Sequence, residues 1–250
     1  MMKRNLLAAA VAALAVQSAM PAAAEDADKC CFRLTPYYWA VGIDGNLEIN
    51  DDTGSTDIDF NQDIGDVTDN LEFNGSLMLE HNKGNWSNFA AVDYIKTEND
   101  DTDINVAGSE IEVETDTLLA TAATGYRFGA DGDSWVDLLV GVRYGKLDLE
   151  FNEKNGPGSI NADDDLVDGI VMLRPRVALG RNWAFSPTAS IGAGDSDLVW
   201  ELAPELVYTN ACCNLEVRVG YRTVNYEIEE GDAEADFSFQ GPMVGLGFAF

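Results

Sequence analysis

Residues 241–250, GPMVGLGFAF, decide the fold. Every second residue counted from the end is large and apolar, namely Phe250, Phe248, Leu246 and Val244, and the residues between them are glycine or alanine. A period of two places the large side chains on one face of a β-strand and the small ones on the other. The run therefore predicts a strand with one apolar face, and the rest of the chain has to indicate what that face contacts.

Similar segments recur along the chain from Phe32 onward, separated by residues typical of turns. The clearest, SWVDLLVGVRYG at 134–145, places Leu138, Val140 and Val142 on one face and Asp137 and Arg143 on the other. Counted with the last run, the segments number about ten, each close to the length of a membrane-crossing strand. We predict an all-β fold, an antiparallel transmembrane β-barrel of ten strands, with eight or twelve strands as the alternatives.

The connections alternate in length, which favours a barrel of the outer-membrane type. Short turns such as HNKGN and GRNW alternate with mostly longer, acidic connections such as ENDDTDINVAGSEIEVETD. An even number of strands places both chain ends on the short-turn side. Phe250 is then expected to act as a C-terminal assembly signal, read by the barrel assembly machinery.

A soluble β-sandwich is the alternative to a membrane barrel, since its apolar faces would contact a second sheet. Aromatic residues favour lipid, because they recur at both ends of the apolar faces and amphipathic rings suit the headgroup layers. These residues are Trp86, Phe128, Trp183, Tyr208 and Phe250 near the short turns, and Tyr94, Tyr144, Trp200 and Tyr221 toward the loops. We therefore expect location in the cell outer membrane, with its lipid and lipopolysaccharide as partners.

The first residues have the pattern of an export signal. Lys3 and Arg4 precede an apolar stretch and then PAAAED, which predicts a cleaved signal peptide at 1–24 and a barrel domain at 25–250. The apolar stretch is shorter than the roughly 20 residues of a membrane helix. Cleavage would take the net charge from −29 to about −31. Such acidity argues against nucleic acid as a partner.

Four cysteines occur as two adjacent pairs, Cys30 with Cys31 and Cys212 with Cys213. In an exported protein they are disulfide candidates, and adjacent cysteines bridge each other poorly. A bond between the two pairs is the favoured interpretation, and a four-thiolate zinc site is the alternative.

The faces opposite the apolar ones carry arginines and carboxylates, which would point into the barrel. The predicted ion-pair network of the lumen consists of Arg127, Asp137, Arg143, Arg174, Arg176, Glu201, Glu205, Glu216, Arg218 and Arg222, with Glu80 and Asp93 on the same faces. A small barrel is just wide enough for side chains to fill it, and such groups pair at close quarters. A largely filled lumen is the first interpretation, and a narrow porin-like channel for small solutes or cations is the alternative.

The loops and the single histidine add little chemistry. The acidic first loop would suit a solvated surface, or weak Ca²⁺ or Mg²⁺ binding without a resident cofactor. Its segment DIGDVTDNL predicts a short helix at the barrel mouth. His81 lies by the turn HNKGN, and neither Ser87 nor any other residue completes a catalytic motif around it. We expect a non-enzymatic protein that supports the envelope or presents acidic loops outward, with a barrel enzyme as the remaining alternative.

The chain resembles a family of uncharacterised outer-membrane β-barrel proteins of Gram-negative bacteria. The stretches that carry the resemblance are LTPYYWAVGIDG, DIGDVTDNLEF, GNWSNFAAVDYI, DLLVGVRYGKLDLEF, GAGDSDLVWEL, VGYRTVNYEIEEG and GPMVGLGFAF. The resemblance implies the same architecture and location, and no particular activity. Where the family places an inward arginine and aspartate after the RNW turn, this chain has Thr188 and Ser190.

Overall fold

The computed structural model describes residues 32–51, 54–62, 65, 71–99, 111–129, 133–153, 159–210, 214–230 and 233–250. Nearly all of them lie in β-strands. The strands are Phe32–Trp39 (β1), Gly42–Asp51 (β2), Gly54–Gln62 (β3), Leu71–Lys83 (β4), Trp86–Asn99 (β5), Ile111–Phe128 (β6), Trp135–Glu153 (β7), Ser159–Ala178 (β8), Trp183–Phe185 (β9), Thr188–Gly194 (β10), Leu198–Ala203 (β11), Glu205–Asn210 (β12), Leu215–Glu230 (β13) and Ala233–Ala249 (β14). Among the described residues, no helix has the length and apolar character needed to cross a bilayer.

Several of these strands are halves of one longer strand. β1 and β2 pair with β14 in a single register that runs from Arg33 opposite Ala249 to Ile49 opposite Ala233. Their other edge pairs with β4 along β1 and with β3 along β2. In the same way β9 continues into β10, and β11 into β12.

Joined in this way, the elements make a closed antiparallel barrel of ten strands, as the sequence predicted. Closure comes from the last strand, because β14 pairs with β13 on one edge and with β1 and β2 on the other. Phe32 and Phe250 also exchange two backbone hydrogen bonds, of 3.1 and 2.9 Å. Among the described residues, each of the other strands thus has a neighbour on both sides, whereas β3 pairs with β2 alone.

The predicted alternation of faces is confirmed. On β7, Val140 is 58% exposed while its neighbour Leu139 is fully buried. The same holds on β14, where Leu246 is 45% exposed and Gly245 is buried. An apolar belt thus covers the outside of the barrel, with exposed aromatic rings such as Trp86, Trp183 and Phe128 near the short turns.

The strands are longer than the sequence pattern indicated. β6, β7 and β8 have 18, 19 and 20 residues, whereas a membrane-crossing strand needs about 9–11. Parts of the acidic connections predicted as loops are therefore strand, and the first of them contains β3. The reason is that Thr, Ile and Val alternate with the acidic residues, which is itself a strand pattern.

Short and long connections lie at opposite ends of the barrel, here called the turn end and the loop end. Gly84, in the turn between β4 and β5, has a φ of +58°, a conformation that glycine adopts at little cost. Of the predicted helix only Gly65 is described. The signal peptide and Cys30, Cys31, Cys212 and Cys213 lie outside the described residues, so these stay predictions.

Candidate functional site: the charged bore

Seven side chains form a turn-end cluster inside the barrel: Arg33, Glu80, Arg174, Arg176, Glu205, Glu216 and Arg218. Glu80 on β4 pairs with three arginines. The distances from its carboxylate to their guanidinium groups are 2.9 Å for Arg174, 3.3 Å for Arg33 and 3.5 Å for Arg218. These arginines come from β8, β1 and β13, so their contacts join separate walls of the bore.

Arg218 connects the rest of the turn-end cluster. Its guanidinium lies 3.2 Å from Glu205 and 3.5 Å from Glu216, and all three side chains are buried. Arg176 pairs with Glu216 at 3.2 Å, and both also contact the Thr209 hydroxyl. Carboxylates removed from water are stabilised when they are paired and hydrogen-bonded. Glu80 and Glu216 have both, whereas Glu205 has its ion pair with Arg218 while its Oε2 accepts no hydrogen bond from the described residues.

A central cluster lies one layer closer to the loop end and consists of Tyr37, Asp93, Arg143, Glu201 and Arg222. Arg222 pairs with Asp93 and with Glu201, each at 2.7 Å, and Arg143 also pairs with Glu201. The Tyr37 hydroxyl donates to Asp93 at 2.5 Å and accepts from Arg222 at 3.2 Å. Because β5 and β13 lie on different sides of the barrel, the Arg222–Asp93 pair spans the bore.

The remaining predicted pair stands beside the turn-end cluster. Arg127 donates two hydrogen bonds of 2.7 Å to Asp137, which also accepts from the Ser87 hydroxyl at 3.1 Å. The guanidinium carbon of Arg127 lies 4.4 Å from the centre of the Trp135 ring, over which Arg176 also lies. The structure thus places all ten predicted network residues inside the barrel, in two clusters and one separate pair.

Thr188 and Ser190 occupy the strand positions where the resembling family has charges. Thr188 accepts a hydrogen bond from Arg174 at 3.3 Å, and Ser190 accepts one from Arg143 at 3.1 Å. Neutral hydroxyls therefore replace a charged pair without leaving the two arginines unsupported on that wall.

The charges of the bore balance. Among its described side chains, the bore contains seven arginines and seven carboxylates. The arginines are Arg33, Arg127, Arg143, Arg174, Arg176, Arg218 and Arg222, and the carboxylates are Glu80, Asp93, Asp137, Asp168, Glu201, Glu205 and Glu216. The formal charge of −29 consequently belongs to the other residues of the chain. A neutral bore has no net attraction for small ions of either sign.

Sequence reasoning missed a set of apolar side chains that also point inward. Toward the loop end from the central cluster, the bore is filled by an apolar plug that consists of Trp39, Val41, Ile43, Ile95, Leu119, Ile170, Val199, Val224, Tyr226 and Phe239, each at most 4% exposed. The signal was present in runs such as LLV at 138–140, where apolar residues occupy both faces of the strand.

Tyr226 crosses the bore toward Gly145 on the opposite wall. A Cβ atom placed at Gly145 would lie 3.2 Å from the Tyr226 hydroxyl, so the glycine leaves the space in which the hydroxyl ends. The ring packs edge-on against Phe239, with 6.3 Å between the centroids. On the turn-end side of the plug, the ring of its residue Trp39 lies 4.6 Å from the Arg222 guanidinium carbon, and this contact joins the plug to the central cluster.

The other predicted chemistry is not assembled into a site by the described residues. His81 stacks on Phe32 with 4.3 Å between ring centroids, and its Nδ1 lies 3.2 Å from the Asn88 amide nitrogen. Phe250 stacks on the other side of Phe32, at 6.0 Å. Within the described part of the chain, no group of three or more His, Cys, Asp or Glu side chains is arranged to hold a metal ion.

Comparison with known proteins supports the architecture. No protein-family model matches the sequence, and no curated protein matches it either. Among solved structures, the outer membrane protease OmpT from Escherichia coli is similar with a TM-score of 0.62 and 10% sequence identity, over 88% of this chain and 97% of that chain. The translocator domain of the autotransporter NalP from Neisseria meningitidis matches with a TM-score of 0.42 and 12% identity, over 100% of this chain and 95% of that one.

At such low identity the similarity to OmpT shows the fold alone. The chain therefore has the fold of Gram-negative outer-membrane β-barrel proteins, and the apolar belt on its outer face is the surface with which such a barrel resides in the outer membrane.

Proposed function

We propose that this protein is a closed, non-enzymatic barrel of the outer membrane, which contributes to envelope structure or presents its acidic loop end to the surroundings. The proposal is supported above all by the filling of the bore. Two ion-paired clusters and the apolar plug occupy successive layers between the turn end and the loop end. An ion that crossed would have to break buried pairs and then pass a tightly filled, mainly apolar layer, and both steps are costly.

A narrow channel for small solutes or cations is the alternative function. The lumen would have to open by moving the plug, since Trp39, Val199 and Val224 are fully buried there. The neutral balance of charge in the bore also gives cations no preference over anions. Both observations favour the closed barrel.

Planar-bilayer recording separates the closed barrel from the channel. We expect the purified protein to insert without discrete openings, because the two clusters and the apolar plug fill the described part of the bore. The variant Ile170→Ala/Tyr226→Ala/Phe239→Ala removes bulk from the apolar plug, and we expect it to conduct in irregular bursts. The matched control Tyr126→Ala/Phe128→Ala/Leu138→Ala removes similar bulk from the outer face and should remain silent. Reproducible, discrete openings of the wild-type protein would establish the channel instead.

An enzymatic role has weaker support. OmpT is a protease, but a shared fold at 10% identity does not carry an activity to this chain. The single histidine, His81, lies at the turn end and contacts Phe32 and Asn88 rather than a nucleophile. Peptide or lipid hydrolysis by the purified protein that is lost in His81→Ala would contradict the proposal.

A further inference from the structure

The outer face of the barrel carries a groove of about 580 Å³ near the loop end. It is formed where β2, β11, β13 and β14 run side by side, and its outward-facing lining includes Trp200, Asn225, Glu227, Asp236, Asp44 and Asn46. None of these side chains belongs to the charged bore, because each alternates with an inward-facing neighbour on its strand. Tyr226 of the plug and Phe237 also line the groove, which thus lies against the wall that holds the plug and outside the two charged clusters.

The strand register places the groove at the edge of the apolar belt that is nearer the loop end. Trp200 pairs with Asn225, which pairs with Ser238. Two residues closer to the turn end on β11 lies Leu202, which is 47% exposed, and farther along the same wall lies Tyr221, which is 44% exposed. A molecule in the groove thus has polar and acidic groups on one side and lipid-facing side chains on the other.

The charge of the groove selects for cations. Asp44, Glu227 and Asp236 contribute carboxylates, and the residues that line it include no lysine, arginine or histidine. Glu227 and Asp236 face each other directly across β13 and β14, and like charges in that position are destabilising. A bound cation would relieve this repulsion, whereas a phosphate or a carboxylate would add to it.

Trp200 narrows the class of cation. An indole face attracts organic ammonium groups, while a small metal ion prefers oxygen ligands alone. The apolar residues on the turn-end side of the groove would contact a hydrocarbon chain attached to that ammonium group. A head and a tail of this kind match the two sides of the groove.

We propose that the groove binds the ammonium head of a cationic amphiphile, with the Trp200 ring and the carboxylates of Glu227 and Asp236 around the head and the chain lying along Leu202 and Tyr221. The site does not depend on whether the bore conducts. It gives the acidic loop end a defined binding position at the level of the lipid headgroups.

Fluorescence quenching tests the proposal with the full chain in phosphatidylcholine nanodiscs. The probe is a long-chain alkylammonium with bromine near its head, and the matched reference is the bromoalcohol of the same chain length. We expect the ammonium to quench tryptophan emission at a concentration about tenfold lower than the alcohol does, the combined effect expected of one cation–π contact and the carboxylates. This preference should disappear in Trp200→Phe and fall several-fold in Glu227→Gln/Asp236→Asn.

Trp183→Phe is the control, because Trp183 is an outward-facing girdle residue at the opposite, turn end of the barrel, and this variant should retain the preference. Heat-modifiable mobility on gels verifies that each variant is a folded barrel. Three results would overturn the proposal: equal quenching by ammonium and alcohol, a preference that survives Trp200→Phe, or a preference that is unchanged when Glu227 and Asp236 are neutral.

Discussion

Two buried tyrosines in the bore differ in what their hydroxyl groups contact. Tyr37 donates to Asp93 and accepts from Arg222, so its hydroxyl is part of the central cluster. Tyr226 is equally buried, but its hydroxyl has no hydrogen-bond partner among the described residues. A buried hydroxyl stabilises the fold only when it is paired, and otherwise costs free energy.

We therefore expect opposite effects from the same substitution at the two positions. Tyr37→Phe should lower the free energy of unfolding by about 1.5–3 kcal/mol, the usual value for a hydrogen bond to a charged group. Tyr226→Phe should leave it unchanged or raise it by up to about 1 kcal/mol. Denaturant titration in lipid vesicles, followed by tryptophan emission, measures both. A loss at Tyr226 as large as that at Tyr37 would mean that the Tyr226 hydroxyl has a polar partner.

Between elements, the tightest approach of backbone occurs where glycines face a neighbouring strand. A Cβ atom at Gly141 of β7 would lie 2.1 Å from the Ala122 carbonyl oxygen and 2.6 Å from the Ala123 Cα atom of β6. These are backbone atoms within the sheet, so they cannot move aside without disturbing the ladder. At Gly180, in a short turn, an added Cβ would meet nothing within 4 Å.

Gly141→Ala should accordingly destabilise the barrel by about 2 kcal/mol or more, the range of a substitution that strains the core. Gly180→Ala is the matched control and should change the free energy of unfolding by less than about 0.5 kcal/mol. The same vesicle titration reports both values. Equal stability of the two variants would mean that β6 and β7 separate more easily than the register indicates.

The faces of the strands were predictable from sequence and their lengths were not. Period-two alternation placed Val140 outside and Asp137 inside correctly, because one-residue slips would bury every charge in lipid. It could not place Leu139 in the bore, since a run of apolar residues does not tell which face meets lipid and which meets a packed interior. The ends of β6 and β8 were missed because their acidic residues resemble loop composition while the intervening residues keep the strand pattern.

The network residues were predictable as inward-facing, but their partners were not. Pairing depends on which strands lie across the bore, and a single sequence does not give barrel registers or tilt. Arg222 and Asp93, for example, are 129 residues apart in the chain. The groove beside Trp200 could not be predicted from the sequence for the same reason, since residues of four strands form it.

For the molecule as a whole, the outer belt decides where it can reside. Val140 is 58% exposed near the middle of the membrane-crossing part of β7, and Leu179 is 60% exposed next to the turn at Gly180. Both meet lipid or its boundary, but at different depths.

Val140→Arg should therefore lower the free energy of unfolding in vesicles by about 2–4 kcal/mol, the cost of arginine at the bilayer midplane. Leu179→Arg should cost only about 0–1 kcal/mol, because its guanidinium reaches the interface. Folding yield and unfolding titrations in vesicles test this pair. Equal costs at both positions, or none at either, would be expected of a water-soluble protein instead.

β3 and β4 together form the second barrel strand, with β3 paired to β2 and β4 paired to β1. Ile43 faces Gln62, and Tyr37 faces Ser76. The register of β4 is thus shifted from that of β3 by eight residues, which is the length of segment 63–70. The two ladders are thus aligned independently of how much chain joins them. It follows that foreign sequence, such as a peptide epitope, could be spliced between Gln62 and Leu71 while the hydrogen-bond ladders keep their alignment.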